Sequence, residues 1–473
     1  MREFSNSELK TLVLELPDEI QKYKDAGAFE EAKKAIAHWM EKPLTEEMKT
    51  RLKYETFILE QLPVEFPYTK EQVIRLMQEK LPDYSEKDLE REEEKNLAEW
   101  IYVDGEKHYI HNLVRNLTDK DEDIRERTGL YSTLPEDKKL LLGKVKEIQE
   151  KGVVSDRFQV KTSIKLKDEA FEPGMKVKVH LPIPAERWQT TDVEILNQAS
   201  GKAVIDGADS LYRSICFEDV LEENCTFFVE YAYTVTSAYA DLWTEEGKQR
   251  AKEGRNLPGS DWKKELTAAE EKEYLEEQLP HIRFSPYLQS LAETIVGDET
   301  DPLEKARKIY DYITTQVQYS YMKSYSLIPD IPGYCARNLR GDCGVQALLF
   351  ITLCRICHVP AKWQSGLYAN PAYTGPHDWA MFFVKPYGWL YADPSFGGSA
   401  YAAGDENRRR FYFGNLDTYR MAANNAFQQD FAVKKTFMPM DPYDNQSGEM
   451  ECGTKGFGGD EVETAKITKE WKD

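Results

Sequence analysis

Three changes of pattern along the 473-residue chain predict an α+β protein. Residues 1 to about 95 carry apolar side chains at helical spacing, and residues 156 to about 242 alternate apolar with polar. Residues 345–356 are apolar nearly all round, with Leu348, Leu349, Phe350, Ile351 and Leu353 leaving no polar face. A helix without a wet side is a buried helix, so this stretch predicts the centre of a core. The length allows about two to four domains.

The N-terminal region, 1–150, reads as all-α with one hairpin. Phe29, Ala32, Ile36 and Met40 recur at helical steps, Met48, Leu52, Phe57, Ile58 and Leu62 continue the pattern, and Pro63, Pro67 and Pro82 break it. Asp104-Gly105 marks a hairpin turn near 100–111. His108 and His111 lie there without a Cys or carboxylate cluster at ligand spacing, so no metal is expected. Residues 119–127 read as a charged linker and 135–151 as one more helix.

Residues 156–242 predict a small β-sandwich. Segments 158–166, 175–181 and 227–235 alternate, and Pro173-Gly174 and Asp206-Gly207 supply turns. Residues 243–282 read as a charged helical connection, 283–425 as the core around the buried helix, and 426–473, which lose periodicity, as an irregular C-terminal tail.

Composition narrows the function. The chain is 41% hydrophobic and 31% charged, with no apolar run of the ~20 residues that crosses a bilayer. Its net charge of −21 repels polyanions, which argues against nucleic acid and anionic membranes as partners. Seven irregularly spaced cysteines do not make a disulfide framework and fit a reducing compartment. The first ten residues lack an apolar signal core, so the expected location is cytoplasmic.

The chemistry gathers around Cys343. Arg340-Gly341-Asp342-Cys343 is a short polar break that places a thiol at the first turn of the apolar helix. Unpaired N–H groups and the positive end of the helix dipole favour thiolate there. A nucleophile needs a base and an orienter. His377 heads an apolar strand, Pro386-Tyr387-Gly388 turns the chain, and Asp393 ends the returning strand. His377 and Asp393 share parity and face one side, but pairing about Tyr387 offsets them, so a bulge or another register is expected. Asp378 points to the opposite face and is the poorer orienter. Cys354-Arg355-Ile356-Cys357-His358 matches the haem-attachment pattern literally, yet lies at the end of the buried helix, where core packing is the better reading.

Gly341-Asp342-Cys343, His377-Asp378-Trp379 and Trp389-Leu390-Tyr391-Ala392-Asp393-Pro394, in this order, resemble the transglutaminase-like superfamily of papain-like cysteine enzymes, of bacterial type. The resemblance implies a papain-like transglutaminase core behind the all-α region and the sandwich, with Cys343, His377 and Asp393 as catalytic residues. It implies attack on a peptide or glutamine-type amide through a thioacyl intermediate, with the Cys343 N–H as one oxyanion donor. Trp363, Trp379 and Tyr334 are candidates for substrate binding. No cofactor is called for, and the expected partner is a peptide or protein substrate. Hydrolysis by a peptidase or amidase is the favoured outcome. Amine transfer by a transglutaminase, or a non-catalytic peptide-binding scaffold, are the alternatives. The sequence does not give the oligomeric state.

Overall fold

Helices build the first third of the chain because their apolar faces have each other to pack on. The computed structural model describes residue 4 and residues 6–129, 134–253, 265–440 and 443–471. Phe29–Met40 and Glu46–Glu65 bury Phe29, Ala32, Ile36, Leu52 and Ile58, and the second helix starts at Thr45, whose side chain accepts from the Met48 N–H. Trp100–Val103 and Glu106–Tyr109 form the expected hairpin, joined by Tyr68–Thr69 as a third strand. Residues 119–127 are not a linker. They belong to two short helices, Leu113–Lys120 and Glu122–Thr128. Asp121 caps the second by accepting from the Ile124 N–H at 2.8 Å, and Ile124 is its one buried side chain. A single apolar anchor among charges leaves no periodicity to read.

The β-sandwich is larger than its predicted segment. One sheet runs Glu449–Cys452, Met175–Pro182, Ser214–Leu221, Lys202–Ile205, and the other Val462–Glu470, Val153–Leu166, Phe227–Ala238, Thr190–Gln198. The segment expected as an irregular tail thus supplies an edge strand to each sheet. The longer one, Val462–Glu470, buries only Val462 and Thr468, so it never shows the alternation of a half-buried strand.

The core is a five-stranded antiparallel sheet in the order Phe413–Gly414, Gly388–Ala392, Tyr373–Val384, Ala361–Asn370, Arg420–Asn424. The helix Cys343–Ile356 lies on one face, with Phe350 packed edge-on against Phe382 at 5.7 Å. Residues 344–355 are all buried. Buried Arg355 donates to the carbonyls of Ala361 and Glu276, so its charge does not interrupt the core. Cys354 and Cys357 are buried within this packing.

The N-terminal helices reach this core through the segment that precedes the Cys343 helix. Tyr54 donates to the Ser326 carbonyl at 3.0 Å, Lys323 pairs with Glu99 at 2.6 Å, and Asn116 exchanges hydrogen bonds with the Tyr321 backbone. No described helix is long and apolar enough to cross a membrane.

Candidate active site

The Cys343 helix begins where the sequence breaks polarity. The Asp342 carboxylate accepts from the Val345 N–H at 3.2 Å and from the Tyr325 hydroxyl, an N-cap held from outside the helix. Gly344 is required by crowding: a Cβ there would meet the Tyr325 hydroxyl at 2.5 Å, Asp378 Oδ2 at 2.7 Å and Trp363 at 3.0 Å. These three groups wall the half-buried thiol.

The hydrogen bond from Cys343 Sγ goes to Asp378 Oδ2, at 3.3 Å. Among the described residues none joins the thiol to His377. The cause is strand alternation. His377 pairs with Gly366 and Asp378 with Ser365, so the two side chains leave Tyr373–Val384 on opposite sides, and the Asp378 side is the one the Cys343 helix covers.

Two further residues reach Asp378 from the C-terminal segment. Gln446 Nε2 donates to Asp378 Oδ1 and, at 3.0 Å, to the His377 carbonyl. The Asp444 carboxyl accepts from Ser365 Oγ and lies beside the Asp378 carboxyl. Burial, then the neighbouring Asp378 charge, pushes Asp444 well above the usual carboxylate range. Burial pushes Asp342 up to about 6. The thiol responds to this surrounding: burial, then Asp378, then Asp342 push Cys343 well above the ordinary thiol range. This surrounding works against the thiolate that the helix N-terminus favours. Two carboxylates and desolvation oppose the helix N-terminus, whose first N–H groups Asp342 already engages.

On the other side of the strand the predicted imidazole–carboxylate pair is assembled. His377 Nε2 lies 2.7 Å from Asp393 Oδ2. No bulge interrupts the hairpin: Ala380 pairs with Ala392 and Val384 with Gly388, and Asp393, just past the strand, meets His377 diagonally. Asp393 is also an N-cap, accepting from the Phe396 N–H and from Ser395 Oγ, both at 2.9 Å. Arg420, fully buried, bridges Asp393 and Asp417 at 2.7 Å each. Burial raises a lone carboxyl, but His377 and Arg420 overcome it and hold Asp393 well below its usual range. Burial lowers His377, and Arg420 adds to this against the opposing pull of Asp393. The ring packs on Phe396, with centroids 4.6 Å apart.

The candidate binding residues divide. Trp363 stands beside Gly344 on the thiol side, its buried Nε1 without a hydrogen-bond partner among the described residues. Trp379 is fully buried behind His377 and donates to Gln364 Oε1 at 2.7 Å, so it is core rather than groove. Tyr334 points away from the thiol, donating to Glu99 Oε1 at 2.8 Å beside Lys323. It fastens the N-terminal region instead. Tyr325 takes the place near Cys343. Arg420, Asp444 and Gln446 carry no local motif, and only long-range packing brings them in.

Residues 289–394 match the transglutaminase-like superfamily. No curated protein sequence matches the chain. Among solved structures, a presumed cysteine protease from Cytophaga hutchinsonii is similar at 15% identity, over 68% of this chain and 93% of that one, with a TM-score of 0.39. The periplasmic domain of TgpA from Pseudomonas aeruginosa is similar at 13% identity, over 57% and 96%, with a TM-score of 0.30. A presumed protease from Parabacteroides distasonis follows at 11%, over 52% and 60%, with a TM-score of 0.20.

Proposed function

We infer, from a chain whose residues 289–394 are a transglutaminase-like core, that the protein is a thiol-dependent acyl-transfer enzyme acting on peptide or glutamine-type amides. The observation that carries this reading is a half-buried thiol on the first residue of a buried helix, hydrogen-bonded at 3.3 Å to a group able to take its proton. Cys343 attacks the amide carbonyl, the C–N bond breaks, and a thioester remains on Sγ. Water then releases the acid, the favoured outcome; a primary amine in its place would make the protein a transglutaminase. The Cys343–His377–Asp393 triad expected from the sequence is supported in its second half by the 2.7 Å contact, while its imidazole faces away from the thiol, so the acyl-transfer reading does not depend on it.

The test is incubation with glutamine-containing peptides, with and without a primary amine, for the wild type and Cys343→Ala. Ammonia or acid release that needs Cys343, with a thioester on that residue by mass spectrometry, supports the reading. Amine incorporation in its place assigns the transferase. A second reading, a peptide-binding protein with a non-catalytic core, is favoured by the thiol's place across the strand from the imidazole, where burial and two carboxyls oppose its ionisation. It predicts peptide binding that Cys343→Ala leaves unchanged and no thioester.

A further inference from the structure

Resting on the acyl-transfer reading, we propose that Lys120, with Arg115, Arg125 and Lys138 around it, forms a subsite for an acidic side chain about two residues along the substrate from the reacting amide. The four cations come from three helices of the N-terminal region, Leu113–Lys120, Glu122–Thr128 and Glu136–Lys151. Leu113, Asn116 and Leu117 are buried, and Lys120 follows them at helical spacing, so it ends the face that meets the core. Asn116 fixes this face: it donates to the Tyr321 carbonyl at 3.1 Å and accepts from the Tyr321 N–H at 2.7 Å.

Two tyrosines link the cations to the thiol. The Lys120 amine lies 4.3 Å from the centre of the Tyr319 ring and 5.2 Å from that of Tyr321, and the Arg115 guanidinium lies 3.7 Å from the Tyr321 ring. The two rings meet edge-on at 5.7 Å. Tyr319 pairs with Gly341, two residues before Cys343, and after burial the Cys343 thiol is what weighs most on its phenol. Tyr319, Tyr321 and Cys343 are all half-buried, so each keeps part of its surface open to solvent. A substrate extended from the thiol over the Tyr319 ring comes to Lys120 in about two residues, at about 3.3–3.6 Å each.

Charge decides what the subsite takes. Desolvation pushes Lys120 down to about 8, Asp119 opposes it, and Lys138, Arg115 and Arg125 add to it. Desolvation and then Arg125 lower Lys138 likewise. Cations that lower one another gain from an anion set among them. Asp119, the acid that weighs most on Lys120, is engaged by the Tyr321 hydroxyl at 3.1 Å and by Arg115 at 3.7 Å. On a chain of net charge −21 this is a local reversal of sign, and it selects an acidic side chain that the overall field repels.

The experiment is alkylation of Cys343 on the full chain, at about pH 7 and low salt, with the rate read by mass spectrometry. The probes are iodoacetyl-alanyl-glutamate amide, its neutral glutamine counterpart, and iodoacetyl-alanyl-glutamine with a free carboxyl end. The glutamate amide is expected to react about fivefold faster than the neutral amide and to saturate at lower concentration, a preference that fades at about 0.5 M salt. Lys120→Gln is expected to bring the ratio below about twofold, and Lys120→Arg, which restores the charge, to keep it. Lys34→Gln, which removes the same charge from an exposed helix face, is expected to leave the ratio as it is. A wild-type ratio below about twofold, or one that Lys120→Gln leaves intact, overturns the subsite while acyl transfer, judged by a thioester on Cys343, stands. Preference for the free carboxyl end with none for the glutamate amide assigns recognition to a chain end and overturns the side-chain assignment. No alkylation of Cys343 by any probe, together with no thioester, overturns both.

Discussion

The two sides of the strand Tyr373–Val384 hold opposite kinds of polar site. The His377 side is closed and charge-balanced: Arg420 answers Asp393 and Asp417, Tyr412 donates to Asp417, and aromatic rings cover the imidazole. The Cys343 side gathers the carboxyls of Asp342, Asp378 and Asp444 around one thiol. Burying acids close together costs free energy and favours their neutral forms. Balanced charge of the first kind fixes a backbone. Crowded acids of the second kind are what chemistry uses.

The comparison breaks most visibly at Arg420. Arg420→Met leaves two buried carboxylates uncompensated and is expected to cost about 3–5 kcal/mol in urea unfolding. Were the loss under about 1 kcal/mol, the closed side would not be the structural one. Gly344→Ala comes next on the opposite side, since the added methyl collides with Tyr325, Asp378 and Trp363. An overpacking cost of about 1–3 kcal/mol is expected in urea unfolding. His377→Ala removes the buried partner of Asp393, at about 2 kcal/mol of stability, yet leaves the iodoacetamide reactivity of Cys343 within about twofold. A drop beyond that would tie the imidazole to the thiol.

The smallest expected effect is on pH dependence. Burial pushes His281 down to about 3, and burial with nearby Lys435 and Lys178 does the same for His180. Their folded pKa lies below the ordinary value of about 6.5, so the unfolded chain binds protons that the folded one refuses. Their contribution is complete above about pH 6.5 and is lost as pH falls toward about 3. Asp342 runs the other way. Its raised pKa gives stability that is complete below the usual carboxylate range and lost as pH rises through about 6. Thermal unfolding of His281→Gln is expected to fall less steeply on acidification than the wild type, by at most about 1.4 kcal/mol per pH unit.

The sequence disclosed residues whose roles show in local pattern. The all-apolar run gave the Cys343 helix, the turn at residues 386–388 gave the hairpin, and parity gave the His377–Asp393 pairing and the opposite orientation of Asp378. Parity also held the information that Cys343 meets Asp378. What it lacked was the side of the sheet on which the helix lies, a tertiary fact. Arg420, Asp444 and Gln446 were illegible because each arrives through an irregular connection, and a lone Asp or Gln there resembles any surface residue. Tyr334 and Trp379 were misplaced for a related reason: an aromatic near a motif packs against whichever domain covers it, here the N-terminal helices for one and the sandwich side for the other.

The central claim is that the thiol's chemical partner is Asp378 and not His377. Its most direct test is iodoacetamide alkylation of Cys343 from about pH 6 to 10, followed site by site in the wild type, Asp378→Asn and His377→Ala. The account predicts a wild-type midpoint above the ordinary thiol value, a lower one in Asp378→Asn, and no change in His377→Ala. A wild-type midpoint below neutrality that disappears in His377→Ala would contradict it, since only a thiolate–imidazolium pair behaves that way.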